Sequence, residues 1–185
     1  MADTTTTRTP GPPVEAAAVV SARTLARGFS ALRVFTGLVW LSNALAKVFD
    51  VGTYDLGFFS FNLITLGSAR GIATNASTKT QIAPLGAFYR DVVLPNWGFF
   101  GAFLTVAELA IGLGLIFGVA TRLAAVGGLL LLTPIWVMLW PTGGYLWEYP
   151  AEDLFPLLLL AIVPAGRTAG LDRRLAPRLG HHWPF

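Results

Sequence analysis

The sequence has no cysteine, and histidine occurs only at His181 and His182, near the carboxyl terminus. Without a thiol, the chain cannot form a disulfide, a cysteine zinc site, a thiolate-ligated iron–sulfur cluster or a dithiol relay. Two adjacent histidines near the chain end also exclude a membrane haem held by histidines from two helices. We therefore expect no metal site and no covalently bound cofactor.

Charged residues are scarce as well, at 12% of the chain against about 25% in an ordinary soluble domain. Hydrophobic residues make up 54%, and the mean hydropathy is +0.62. A soluble chain of this length could not bury so much apolar surface, so the lipid bilayer is the expected partner. The net charge is only +3, and no basic run is interleaved with aromatic residues, so nucleic-acid binding is not expected.

Four apolar segments are present, and a helix needs roughly 20 residues to cross the hydrocarbon core. They lie at about residues 31–49, 97–120, 123–140 and 151–165. The fourth is short and contains Pro156 and Pro164, so a tilted, a kinked and a partial crossing are all open; we favour a full crossing. The predicted fold is an all-α integral membrane protein, a four-transmembrane-helix bundle over residues 29–175. Residues 1–28 are predicted to be a flexible tail, and residues 176–185 a second tail.

The distribution of arginine predicts the orientation in the membrane. Nine arginines share one side if all four helices cross: Arg8, Arg23, Arg27, Arg33, Arg122, Arg167, Arg173, Arg174 and Arg178. Residues 141–150, between the third and fourth spans, contain neither lysine nor arginine. By the positive-inside rule, both termini are cytoplasmic. We expect a multi-pass protein of the prokaryotic plasma (inner) membrane.

The extracytoplasmic loop, residues 51–96, is long enough to carry structure or function. Residues 56–67 are apolar but too short to span, which favours a re-entrant or interfacial segment. Residues 68–81 are polar and are predicted to be an exposed loop. Apolar residues then recur at helical spacing, at Leu85, Phe88, Tyr89, Val92 and Val93. This pattern predicts an interfacial amphipathic helix that ends at Pro95.

Polar residues form a stripe along one face of the first helix, because they recur every three or four positions. The stripe comprises Arg33, Thr36, Trp40, Asn43, Lys47 and Asp50. Glu108 lies eleven residues after Trp97, which is about 16 Å along a helix and close to the middle of the bilayer. A carboxylate at that depth needs a partner. Asn43, Lys47 and Glu108 are therefore the candidate catalytic residues; the alternative is a buried pair that only fixes helix register.

Aromatic and acidic residues gather at the predicted outer boundary. The aromatic residues are Tyr89, Trp97, Trp140, Tyr145, Trp147 and Tyr149, and they suit either an interfacial belt or a pocket mouth. The residues proposed for the mouth are Trp97, Tyr145, Trp147 and Glu148. Glu148, Glu152 and Asp153 also suit the first turn of the fourth helix; cation binding is the other interpretation.

Three motifs together resemble the DoxX/DoxD family of small membrane proteins over about residues 30–175. The first is Arg33, Gly37 and Lys47, and the second is Glu108, Gly112, Leu115, Gly118 and Arg122. The third is the closing GRTAGLDRRL, with Arg167 and Asp172. The stretches NWGFF and YLWEYP are most similar to the DoxD type, the small membrane subunit of thiosulfate:quinone oxidoreductase.

The resemblance implies a four-helix bundle, oxidation of thiosulfate to tetrathionate coupled to quinone reduction, and a partner subunit of the DoxA type. Our first hypothesis is therefore a membrane subunit of a quinone-linked oxidoreductase, with quinone as co-substrate. The second is a non-catalytic scaffold or assembly subunit of a redox or stress-response complex. The third is a small transporter or lipid-binding protein, which would require a homo-oligomer.

Overall fold

A computed structural model describes residues 21–58, 60–141, 145–180 and 182–185. Most of the predicted N-terminal tail, His181 and the side chain of Tyr145 lie outside the described part. The helices are α1 (Ala22–Phe49), α2 (Leu66–Lys79), α3 (Ala83–Phe88), α4 (Trp97–Phe117), α5 (Thr121–Leu139), α6 (Tyr145–Tyr149), α7 (Phe155–Ile162), α8 (Gly166–Ala169) and α9 (Asp172–Arg178). Tyr89–Val93 and Pro150–Leu154 are π-helical, and β1 (Thr53–Asp55) pairs antiparallel with β2 (Ser60–Asn62).

Within the described residues, α1, α4 and α5 are long and apolar enough to cross a membrane. This agrees with the predicted all-α membrane class. α1 presents its polar stripe inward: Arg33, Thr36 and Lys47 are buried, whereas Phe35 and Leu38 are exposed. The hydrophobic face of α1 is thus free to contact lipid, as expected for a helix with one polar stripe.

The fourth apolar segment is not one of these three helices. Its helical run is continuous from Tyr145 to Ile162 but contains the π-helical turn. The run lies antiparallel along α5, because Arg122 Nε donates to the Ala161 carbonyl (2.9 Å) and Tyr149 packs against the cluster that contains Met138 and Leu139. The run begins before residue 151 and ends before residue 165, so both of its bounds differ from the predicted ones.

Other boundaries also differ from the predicted ones. α1 begins at Ala22, where Ser21 caps the helix by accepting from the Thr24 amide, so the last part of the predicted tail is helical. α4 ends at Gly118, which has a φ of +65°, a left-handed conformation typical of glycine at a helix end. At the other terminus, α9 continues past residue 175 and buries Ala176, so the predicted tail begins within the fold.

The closest helix crossing in the core joins α1 and α4 through two glycines. A Cβ atom on Gly112 would lie 2.7 Å from the Leu41 amide nitrogen, and one on Gly37 would lie 2.9 Å from the Ile116 amide nitrogen. Only glycine permits backbones to approach this closely. The crossing determines which residues of α1 and α4 face one another.

The segment between α1 and α4 is folded rather than looped, which corrects two expectations. Residues 68–81 lie mostly in α2, whose Ala73, Ala76 and Ser77 are buried. Ala76 packs with Met138 of α5, so α2 is part of the core. The apolar residues 56–67 lead into β2 and the start of α2, so the re-entrant alternative is not borne out, while the interfacial one stays a prediction. The expected amphipathic helix is present as α3 and its π-helical continuation.

Candidate functional site: an ion pair at a central cavity

Lys47 and Glu108 form a buried ion pair between α1 and α4. Lys47 Nζ lies 2.8 Å from Glu108 Oε2, and their side chains are 1% and 12% exposed. Lys47 Nζ also donates to the Ile64 carbonyl at 3.0 Å. The carbonyl belongs to the chain just before α2, so one ammonium group ties three parts of the fold together.

Asn43 does not face Glu108, which corrects the predicted cluster of three residues. Its Oδ1 accepts from the Ile64 amide at 2.9 Å, and its Nδ2 donates to the Val39 carbonyl at 3.1 Å. With both ends of its amide occupied, Asn43 anchors the segment before α2 to α1. The structure thus assigns it a positioning contact.

A cavity of about 280 Å³ adjoins the ion pair. Its walls are contributed by α1, α2, α4 and α5, with Phe88 and Tyr89 from the α3 segment. Glu108 is the last residue of α4 to line it, and Leu130 is the first of α5. The volume lies just below the roughly 300–1,000 Å³ of typical small-molecule pockets, and the lining is apolar and aromatic apart from a few polar groups.

Trp40 adds a second polar group to the lining, two helical turns before Lys47 on α1. The residue is 7% exposed, and no described residue accepts a hydrogen bond from its Nε1–H. Its Cζ2 edge lies against α5, 3.2 Å from where a Cβ on Gly128 would stand. A buried donor without an acceptor is costly, by about 1–3 kcal/mol, unless something absent from the chain supplies the acceptor.

Only some of the residues predicted for the pocket mouth line the cavity. Trp97 lines the cavity. Trp147 is 75% exposed, Glu148 is exposed, and neither lines it. Tyr149 and Tyr89 also line it. Both belong to the aromatic group for which the sequence leaves a belt and a pocket mouth open, but neither is among the four residues proposed for the mouth. Burial raises the pKa of the Tyr89 phenol above its ordinary value of 10.0, so that hydroxyl remains protonated at neutral pH.

Arg33, Gly118, Arg167 and Asp172 of the remaining motifs lie at the opposite end of the bundle, whereas Gly37 and Gly112 form the α1–α4 crossing. Arg33 Nη1 donates to the carbonyls of Leu115 (2.6 Å) and Ile116 (3.1 Å), and Nη2 to that of Ala169 (3.0 Å). The guanidinium thus satisfies carbonyls at the end of α4, which a helix leaves without partners. This group is structural and far from the cavity.

Asp172 completes the same end by capping α5. Its two carboxylate oxygens accept from the amides of Ala120 (2.7 Å) and Thr121 (3.0 Å), which suits a negative charge at a helix N-terminus. Arg167 donates to the carbonyl of Phe185. These contacts connect the closing motif to the bundle.

No described group of three or more His, Asp or Glu residues is placed to hold a metal ion. Glu148, Glu152 and Asp153 lie within the helical run that starts at Tyr145. Glu148 is in the first turn of α6, as predicted for the start of the fourth helix, and Glu152 and Asp153 are in the first turn of the π-helical segment. No family model, curated protein or solved structure matches the chain.

Proposed function

We propose that this protein is the membrane subunit of a quinone-linked oxidoreductase and that the central cavity binds the quinone ring. One observation carries the proposal: two kinds of polar group belong to residues that line an otherwise apolar cavity. These are the Trp40 indole N–H, which has no acceptor among the described residues, and the Lys47–Glu108 ion pair.

A quinone suits this arrangement because it is a flat, apolar ring with a carbonyl acceptor at each end. Trp40 and Lys47 are seven residues apart on one face of α1, or about 10 Å along the helix axis. A ring in the cavity would lie between the two residues, with the Trp40 indole N–H as the donor to one carbonyl and the Lys47–Glu108 pair beside the other. The aromatic lining, including Trp97 and Tyr89, favours a stacked ring.

In the reaction, the quinone takes up two electrons and two protons and becomes a quinol. Two thiosulfate dianions supply the electrons as a sulfur–sulfur bond joins them into tetrathionate. Glu108 acts as a proton relay: its carboxylate, ionised in the pair with Lys47, takes up a proton from the aqueous side and passes it to the nearer ring oxygen. The second proton also enters from the aqueous side, and Lys47 stabilises the negative charge that develops on the ring before the protons arrive. The chain has no cysteine, so the sulfur compound reacts at a partner subunit or directly with the ring.

The same proposal includes four membrane crossings with both termini in the cytoplasm of a prokaryote. The cavity then lies toward the outer face, below α2 and α3. A partner of the DoxA type, which the DoxX/DoxD resemblance implies, would bring thiosulfate to that face.

The test is thiosulfate-dependent quinone reduction in membranes that contain the wild type, Trp40→Phe, Glu108→Gln or no protein, in a host that retains its native partner. Trp40→Phe keeps an aromatic ring and removes the donor, so we expect the KM for quinone to rise about tenfold, equivalent to one lost hydrogen bond of about 1.4 kcal/mol. Glu108→Gln should lower kcat and leave KM nearly unchanged, because it removes the group that relays the proton but keeps the size and shape of the side chain.

Glu148→Gln is the matched control, since Glu148 is exposed and outside the cavity; it should leave both constants unchanged. Equal rates with and without the protein, after insertion is verified, would overturn the oxidoreductase proposal. That result would favour the scaffold alternative, which predicts that changes in α2 and α3 disrupt a complex.

A further inference from the structure

A second apolar depression lies on the outer surface of α4 and α5. It has a volume of about 730 Å³. Six small residues line it, namely Ala107, Ala110, Gly114, Ala120, Ala124 and Gly127. We call it the α4–α5 groove. All of its lining residues are apolar, so a polar or charged occupant would lose its hydration without compensation.

The groove and the central cavity share part of their walls. Phe103, Leu130 and Leu131 line both spaces, so the two spaces adjoin at these residues. Phe103 is 55% exposed and Leu130 is 71% exposed. Exposed side chains change rotamer within picoseconds to nanoseconds, so this wall can open without a backbone movement.

The aqueous side of the cavity is covered by the segment before α4. Asn43 and Lys47 hold the backbone of Ile64, and Arg90 holds α3 to α2 by donating to the Ser77 carbonyl. A lipid-soluble ligand therefore has a less obstructed path into the cavity from the bilayer, between α4 and α5, than from the aqueous side.

We infer that the α4–α5 groove holds the apolar tail of the ligand whose ring occupies the cavity, and that the ligand passes between Phe103 and Leu130. The inference rests on the proposed function and adds a tail site and a route to it. The groove extends from Phe103 to Phe117 on α4, about 21 Å of helix, which suits an extended lipid chain. The wall residues that the groove shares with the cavity favour this occupant over an unrelated membrane helix.

Quinones that share one ring test the tail site. A dimethoxy-methyl-benzoquinone is assayed with a decyl tail and without a tail, in wild type and in Ala110→Phe, which fills the groove. The KM for the tailed quinone should rise about tenfold, while that for the tail-less quinone stays unchanged. Val106→Phe adds the same ring to an exposed position of α4 outside the groove and should change neither constant.

A photoreactive group at the end of the decyl tail gives a readout that needs no turnover. Peptides of α4 and α5 facing the groove should carry the label in wild type and lose it in Ala110→Phe. Label elsewhere, or equal KM changes for both quinones, would overturn the tail site. Labelling of the groove without any thiosulfate-dependent reduction would keep the tail site and reject the proposed reaction. An altered oligomeric state of Ala110→Phe without label in the wild type would show that a helix covers the groove instead.

Discussion

At the scale of single residues, charge inside the bundle is organised by pairing. Lys47 and Glu108 form an ion pair between α1 and α4. The Arg33 guanidinium donates hydrogen bonds to carbonyl oxygens and lies near the carboxylate of Asp172. Each buried charge therefore has its own partners. Arg33 and Lys47 belong to the same polar stripe of α1, but they make their contacts at opposite ends of the molecule.

Breaking the ion pair on one side should destabilise the protein strongly. Lys47→Met and Glu108→Leu each leave one buried charge without a partner, and we expect each to cost about 3–5 kcal/mol. The double variant should cost much less than the sum. Unfolding in detergent measures this, with Lys79→Met as a control because Lys79 is exposed. Additive costs would show that the two residues do not interact.

The buried phenol of Tyr89 predicts a pH effect on stability. Its pKa is raised by burial, so the folded state holds the proton more tightly than the unfolded state. The contribution of the protonated phenol to the stability of the folded state is complete below the ordinary pKa of 10.0, and it is lost as the pH rises through the raised pKa. Tyr89→Phe should therefore lose less stability than the wild type between neutral and alkaline pH, measured by thermal unfolding. Parallel curves for the two proteins would contradict this.

At the scale of elements, the α1–α4 crossing is the contact on which the site depends. It brings Lys47 level with Glu108 because Gly37 and Gly112 allow the backbones to touch. Two further glycines of α4 have other contacts. Gly114 contacts α5, and Gly118 ends α4.

A methyl group at this crossing should separate the helices. Gly112→Ala places Cβ against backbone atoms of Leu41, which cannot rotate away, so we expect a loss of about 1–3 kcal/mol. Gly98→Ala is the matched control in the same helix, because nothing lies within 4 Å of its Cβ position. Thermal unfolding of both variants is the measurement. Equal stability of the two would mean that the crossing tolerates a wider separation.

At the scale of the whole molecule, the two ends of the bundle have different tasks. One end is tied by Arg33 and Asp172, through contacts between α1, α4, α5 and the closing helices α8 and α9. The other is covered by α2 and α3 and contains the cavity. The helical run from Tyr145 lies along α5 between these ends, which is the geometric basis for proposing a fourth crossing.

The orientation can be measured directly because the chain has no cysteine of its own. Arg23→Cys, Thr78→Cys and Arg174→Cys each place one thiol at an exposed position. In intact cells, a membrane-impermeant maleimide should label only Thr78→Cys; permeabilisation should expose the other two. Labelling of Arg174→Cys but not Arg23→Cys in intact cells would reject the fourth crossing.

The sequence alone determined the membrane class, the inward polar face of α1 and the need of Glu108 for a partner. These follow from local periodicity and from the cost of a charge in lipid. It did not determine that Lys47 would be that partner while Asn43 binds Ile64, nor that residues 68–81 form a buried helix. Nor did it identify Trp40 as a donor at a cavity wall. Those outcomes depend on contacts between residues far apart in the chain, above all the Gly37–Gly112 crossing and the packing of α2 on α5. Only the tertiary structure decides which group each buried polar atom meets, because that depends on how the helices pack and not on the spacing within any one of them.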